Sequence, residues 1–346
     1  MRRINIYLEE HSYSAKWKKY DHEEFRIWIR GNVFYGDRIF RDESAVSLLL
    51  GLLGSRKEKK VNADQLLFSQ LNGFFTIIIE GNQGVYAAVD RVRSIPLFYG
   101  QTNDRVFLSN DAEWIRNNVG DTEMDPLARQ EFLQTGYVTG SDTLLPNVKQ
   151  LQAGECLLIT KNQDKPQLQT HRYYRFLHTE PKESVDQDYL FSELNAVCEK
   201  SIRRLIDYAD GRQIVVPLSS GLDSRLIVTL LRRLGYENVL TFSYGTPENH
   251  ESRVSKAVAE SLNYPWEFIK YSNSLWRTWW LSQEMRSYEN YASQWTSLPH
   301  IQDWPAVMQL KREDKLENHA VFAPGHSADL PAGSRSRLFP EIYDSN

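Results

Sequence analysis

Along the first half of the chain, apolar residues come in short runs. FRIWIRG (25–31), FFTIIIEG (74–81), GVYAAVDR (84–91), RVFLSND (105–111) and GECLLITK (154–161) are rich in β-branched or aromatic residues and end at turn formers. Such runs predict strands. EGNQGV at 80–85 joins two of them and predicts a hairpin. The composition turns polar over 161–186, with proline and no clear period, which places a domain boundary there. From Gln187 the period lengthens. DYLFSELNAVCEKSIRRLIDYA repeats apolar residues at three and four, as a helix does. Strand and helix then alternate: QIVVPL, SRLIVTLLRRLG closed by Gly235, NVLTFSYG, HESRVSKAVAESLN and the late strand HAVFAPG. Alternation of this kind predicts a parallel α/β sheet. Two domains are expected, a β-rich one over 1–170 and an α/β one over 187–346.

Composition narrows the function classes. The 346 residues carry a formal net charge of −4, so no basic surface argues for nucleic acid. RKEKK at 56–60 reads as a solvated loop. The two cysteines, Cys156 and Cys198, form no C-x-x-C, which excludes a disulfide framework and a zinc knuckle. HE at 250–251 stands outside any zinc-binding pattern. The start of the chain is too charged for a signal peptide, and no apolar run approaches the roughly 18 residues of a membrane span. A cytoplasmic protein with neither a membrane nor a nucleic-acid partner is expected.

One stretch carries chemistry: VVPLSSGLDSRLIVTLL, residues 215–231. Its loop, Ser219–Ser224, sits between an all-apolar strand and a helix expected to begin near Asp223. That is the carboxyl end of a parallel strand and a helix N-terminus, where backbone N–H groups meet anions. Gly221 allows close approach and positive φ; Ser219, Ser220 and Ser224 add hydroxyls. Asp223 opposes a phosphate unless a cation such as Mg²⁺ lies between them. No Gly-Lys-Ser/Thr follows, so this is not the common P-loop. The residues alone also allow a plainer reading, with Asp223 or Ser220 as a helix cap.

The loop resembles the Ser-Gly-Gly-x-Asp-Ser pyrophosphate loop of the ATP pyrophosphatases. Residues 71–100, LNGFFTIIIEGNQGVYAAVDRVRSIPLFYG, resemble the glutaminase-type domain of asparagine synthetases. LSNDAEWI, LQAGECLLI, FSYGTPENHESRVSKAVAESLNYP and FAPGHSADLPAGS follow in the same order as in those enzymes. The resemblance implies an N-terminal α+β sandwich of antiparallel sheets of the Ntn type and a C-terminal ATP-pyrophosphatase domain. It implies ATP and Mg²⁺ as ligands. Ser219, Gly221, Asp223 and Ser224 then bind pyrophosphate, with Ser220 and Leu222 completing the loop. Leu218, Tyr244 and Gly245 line the adenine pocket, and Gly325 flanks the α-phosphate. Asp223 and Asp329 are the catalytic acids and share the metal.

The pattern also breaks. Glutamine-using relatives carry a cysteine after the initiator methionine; here Arg2 stands there, so no glutaminase activity is expected, as in the β-lactam synthetases and lasso-peptide cyclases. Ser220 and Ser327 replace glycines, and Leu330 replaces a glutamate of many synthetases. Seventeen residues follow Asp329, where relatives continue into a helical segment with a lysine. That segment is expected from a partner chain, an oligomer or a longer protein. The aromatic stretch SLWRTWWLSQEMRSYENYASQWTSLPH either lines an acyl pocket or packs as ordinary helix. The expected function is an ATP-dependent ligase. It adenylates a small-molecule or peptide carboxylate for attack by ammonia or a substrate amine. The alternatives are a non-catalytic, ATP-binding subunit and a tRNA-modifying pyrophosphatase; the second would need reactive cysteines or a basic face.

Overall fold

The computed structural model describes residues 4–10, 16–22, 24–54, 67–82, 84–160, 165–177 and 186–325. The chain divides into two units, one of residues 1–180 and 288–299, the other of 181–287 and 300–346.

The first unit runs β1 (Ile4–Tyr7), β2 (Lys18–Asp21), β3 (Phe25–Tyr35), β4 (Arg38–Phe40), α1 (Asp42–Gly54), β5 (Leu71–Gly81), β6 (Gly84–Val89), β7 (Phe98–Gln101), β8 (Val106–Ser109), α2 (Ala112–Val119), α3 (Pro126–Thr135), β9 (Val148–Gln150), β10 (Glu155–Thr160) and β11 (Gln167–Arg172). The larger sheet has the order β11-β10-β6-β5-β3-β2, with β4 paired to β3, and every pairing in it is antiparallel. The smaller sheet, β1-β8-β7-β9, is mixed, because β1 enters parallel to β8. This corrects the expectation of two wholly antiparallel sheets: β1 and β8 are far apart in sequence, so no tight turn fixes their relative direction.

The alternation of β5 explains the layers. Ile77 and Ile79 share a core with Val46 and Leu49 of α1. Ile78 points the other way, into a core with Val85, Ala87, Val106 and Leu108. On the far side of the smaller sheet, Phe98 and Phe107 pack on Ile115 of α2. Helix, sheet, sheet and helix therefore lie in sequence, each interface closed by residues of one parity.

The shared motifs in this unit turn out to be structural. In LNGFF, Gly73 holds φ +126 opposite Val33, where a Cβ would stand 2.3 Å from the Asn32 carbonyl oxygen. Only glycine fits such a conformation and approach. In DRVRSIPLFY, Asp90 is fully buried. Its carboxylate accepts from the N–H groups of Phe75 (3.2 Å), Val92 (2.9 Å) and Ser94 (2.9 Å) and from the Ser94 hydroxyl (3.2 Å). Arg91 donates to the carbonyls of Leu71 and Ser69.

The second unit begins with α4 (Gln187–Ala209), β12 (Ile214–Pro217), α5 (Leu222–Arg233), β13 (Val239–Gly245), α6 (His250–Ser261) and β14 (Trp266–Lys270). It continues through α7 (Asn273–Trp280), α8 (Gln283–Ser293), α9 (Trp304–Arg312) and β15 (Val321–Phe322); residues 288–299 fold with the first unit. The sheet order is β14-β13-β12-β15, all parallel, so the three strands read from the sequence are neighbours and β14 adds an edge. Ile214, Val216 and Leu218 face a core shared with Ile202 of α4 and with Val228 and Leu231 of α5. Val215, Leu240 and Phe242 face Ala306 and Leu310 of α9. Both faces of β12 and β13 are thus covered within the described residues, as a parallel sheet requires.

Candidate functional site

The carboxyl ends of β12 and β13 open on a cavity of about 520 Å³. The loop after β12 forms one wall. Its serines bond inward: the Ser219 N–H donates to Ser224 Oγ at 3.1 Å, the two hydroxyls lie 3.1 Å apart, and the Gly221 N–H donates to Ser219 Oγ at 3.1 Å. Helix α5 starts at Leu222 with Gly221 as N-cap and no side-chain cap bond. The reading of Asp223 or Ser220 as a helix cap is therefore overturned. Gly221 also differs from expectation, with φ −66 and ψ 154, an ordinary extended conformation. The first-turn amides of α5 have no intrahelical acceptor, which is what makes a helix start attractive to an anion.

Asp223 lines the cavity and has no hydrogen-bond or ion-pair partner among the described residues. Gly325, after β15, closes against the same loop. A Cβ there would lie 2.7 Å from the Ser224 nitrogen and 3.2 Å from the Asp223 carbonyl carbon, so the second loop needs a glycine to approach the first. Behind the cavity a buried polar knot fixes the strand ends. Ser243 Oγ donates to the Leu218 carbonyl at 2.7 Å and lies 2.6 Å from Ser255 Oγ, while Trp266 Nε1 donates to both hydroxyls. Every hydroxyl of this knot is satisfied, which holds the start of the loop in one place.

On the opposite wall, Tyr244 was expected from the sequence, and His300, Gln302 and Asp303 were not. Tyr244 donates its O–H to Asp303, and its ring stacks on Tyr271 at 4.8 Å. Burial, and then Asp303, push the Tyr244 phenol well above the usual tyrosine range. His300 Nε2 lies 3.5 Å from the other Asp303 oxygen. His300, Gln302 and Asp303 all line the cavity. The available signal was Asp303 directly before Trp-Pro, a helix start.

Of the residues expected at the site, Leu218, Ser219, Gly221, Asp223, Ser224, Tyr244 and Gly325 line this one cavity. Ser220, Leu222 and Gly245 are not among its lining residues. The Ser220 N–H donates to Glu251 Oε2 at 2.5 Å, the Leu222 side chain is exposed, and Gly245 ends β13 at φ +130. Asp329, with Ser327 and Leu330, lies outside the described residues, as does Arg2. Arg225 donates to the Gly221 carbonyl at 3.2 Å. In the aromatic stretch, Trp279 is buried edge-to-face on Trp304, with the Arg312 guanidinium 3.6 Å above its ring. None of the aromatics in this stretch is among the cavity's lining residues, and Trp280 is exposed.

Among the described residues, the lining includes the carboxylates of Asp223, Glu251 and Asp303 and the His300 imidazole, but no lysine or arginine. A polyphosphate entering such a cavity needs a cation to offset the like charge. Among the described residues, no three or more of the His, Cys, Asp and Glu side chains come together so that they alone could hold a metal ion. The donor set does fit a hard cation that takes one or two carboxylates and fills its remaining positions with phosphate oxygens and water. No helix of the described residues is long and apolar enough to cross a membrane.

A small-residue loop at the carboxyl edge of a parallel sheet, in a chain that also carries a layered β-sandwich unit, defines a two-unit protein with a cavity at the strand ends of its α/β unit. Family models place it further. A model described as a glutamine amidotransferase domain matches residues 59–174, and one described as asparagine synthase matches residues 194–290. The chain therefore carries the two domains of the asparagine-synthetase-like family, in this order. Comparison with curated proteins gave no match. Among solved structures, it is similar to a glutamine phosphoribosylpyrophosphate amidotransferase from B. subtilis complexed with ADP and GMP. That match has 13% identity and a TM-score of 0.30 and covers 77% of this chain and 52% of that one. An NH3-dependent NAD synthetase from Campylobacter jejuni matches at 19% identity and a TM-score of 0.23, over 31% of this chain and 54% of that one. A structure titled as the allosteric regulatory enzyme of purine biosynthesis matches at 12% identity and a TM-score of 0.31, over 87% and 70%. The chain spans about half the length of the first two.

Proposed function

We propose that this protein is an ATP-dependent carbon–nitrogen ligase. A substrate carboxylate oxygen attacks the α-phosphorus of ATP, the bond to the β-phosphate breaks, and pyrophosphate leaves. Ammonia or a substrate amine then attacks the acyl carbon of the adenylate. AMP departs with the bonding electron pair, and the nitrogen gives up a proton. The observation that carries this reading is the partnerless Asp223 in a cavity built from the first turn of α5, with Gly325 packed against the loop. In this reading Ser219, Ser224 and the first-turn amides hold the pyrophosphate. Asp223, with Asp329, holds Mg²⁺, which neutralises phosphate charge when bound. Catalysis then comes from alignment and charge neutralisation.

Glutamine is not the proposed nitrogen source. Cys156, buried in β10, and Cys198, in α4, stand far along the chain from the second position, where the resemblance puts the nucleophile and where this sequence has Arg2. The test is ATP–pyrophosphate exchange against a panel of carboxylic acids, with glutamate release from glutamine measured alongside. Exchange that depends on one acid and on Mg²⁺, without glutamate release, supports the proposal. Nucleotide binding with no exchange on any acid would assign a non-catalytic subunit instead.

A further inference from the structure

Glu251 enters the cavity from a different element than the loop it touches. It is the second residue of α6, the helix after β13, and it accepts the Ser220 N–H at 2.5 Å. The start of α6 is held firmly. Asn249 caps it by accepting the Ser252 N–H at 2.7 Å and ties itself to the Thr246 carbonyl at 2.7 Å. Glu248 takes φ +58, and Gly245 takes φ +130 where a Cβ would lie 3.0 Å from Asn249 Nδ2. A carboxylate presented from so fixed a turn is a rigid acceptor.

Within the loop, the N–H groups of Ser219 and Gly221 are taken by Ser224 and Ser219 hydroxyls. Ser220 has no such partner inside the loop; its acceptor comes from α6. The Ser220 backbone N–H, and after it the Ser220 side chain, hold the Glu251 carboxyl below the usual glutamate range. The hydroxyl is the group that the resembling Ser-Gly-Gly loop lacks at this position.

We infer that Glu251 is a positioning residue of the nucleotide loop, clamping the Ser220 peptide so that Ser219, Ser224 and the first turn of α5 are the donors presented to phosphate. The inference rests on the proposed nucleotide role of that loop. Two effects of the carboxylate oppose each other. It repels phosphate, but from an exposed position where water screens the repulsion. It also holds a peptide through a short charge-assisted bond, which lowers the cost of ordering the loop on binding. The second effect wins, because screening weakens the first and leaves a directional contact bond largely intact.

The test is calorimetric titration of Mg·ATP into the full chain and into Glu251→Ala, Glu251→Gln and Ser220→Gly, with melting curves and the amide NMR resonance of Ser220 as independent readouts. Glu251→Ala is expected to weaken Mg·ATP binding about tenfold with little change in melting temperature. Glu251→Gln keeps an acceptor and should stay within about threefold of the parent. Ser220→Gly keeps the N–H that Glu251 accepts and should also stay within about threefold of the parent. Equal or tighter binding by Glu251→Ala would overturn the inference and make the carboxylate a competitor of phosphate. Glutamine no better than alanine would also overturn it. If the parent chain fails to bind Mg·ATP, the nucleotide role of the loop falls. The clamp is judged separately by the Ser220 amide, which must move upfield in Glu251→Ala; an unmoved amide overturns the clamp.

Discussion

Asp90 in the first unit and Asp223 in the second are both acids placed within a few residues of the end of a strand, and both sit in motifs shared with the same family. Their surroundings are opposite. Asp90 is fully buried and accepts from three backbone N–H groups and a hydroxyl. Burial pushes its carboxyl above the ordinary aspartate range, and those donors pull it back. Asp223 is half-buried, faces a cavity and has no partner among the described residues. A saturated acid is scaffold: it spends its lone pairs on fixing a turn and has none left for a ligand. An acid left unsatisfied where a helix begins has capacity to spare for a cation. Presence in a motif does not separate the two roles, but counting donors does.

Substituting each acid breaks the comparison most directly. Asp223→Asn should reduce Mg²⁺-dependent ATP–pyrophosphate exchange by about 100-fold or more while the melting temperature stays put. Loss of stability with retained exchange would reverse the assignment. Asp90→Asn turns an NH2 group toward donors and should cost about 1–3 kcal/mol of stability. It is read as a lower melting temperature with exchange per folded molecule unchanged. Gly325→Ala places a Cβ against Ser224 and should cost about 1–3 kcal/mol. Unlike Asp90→Asn, it should also raise the KM for Mg·ATP, because the strain falls on the phosphate loop. Glu251 combines both roles, since it is bonded yet faces the cavity, and its effect on stability is the smallest. Its carboxyl is held below the ordinary 4.5, so its contribution is fully present above that pH and disappears as pH falls through the lowered value. The melting difference between the parent and Glu251→Ala should therefore be small at pH 7, where solvent screens the pair, and vanish in acid.

Strands β3, β5, β6, β10, β12 and β13 follow from alternation and from apolar runs, and so does the parallel sheet of the second unit. The failures have physical causes. QLQTHR forms the edge strand β11 inside the polar segment first read as a boundary. An edge strand exposed on both faces has no apolar alternation to find. WEFIK, the edge strand β14, is short and follows a proline. Helices α2 and α3 were overlooked in a stretch read as β-rich, although their punctuation is complete: Asp111 to Gly120, and Asp125-Pro126 to Gly136. The loop Ser219–Ser224 was legible because strand, turn and helix are contiguous there. The wall of His300, Gln302 and Asp303 was not, because it reaches the site through tertiary packing from about 80 residues away. Glu251 was weighed only as part of a metal pattern. Its bond to Ser220 spans 31 residues, a pairing that no local spacing announces.

The first unit is not finished when its first 180 residues have been made. It also needs residues 288–299. Trp295 packs with Ala128, Val138 and Leu144. Its indole N–H reaches Glu113, its carbonyl accepts the Leu144 N–H, and the Gln294 side chain accepts the Ala112 N–H. During synthesis these partners leave the ribosome about a hundred residues late, at roughly 5–20 residues per second. For several seconds the nascent sandwich stands with the seat of Trp295 open, and that interval is when a chaperone has something to hold. Residues 1–180 expressed alone would keep that apolar seat open permanently.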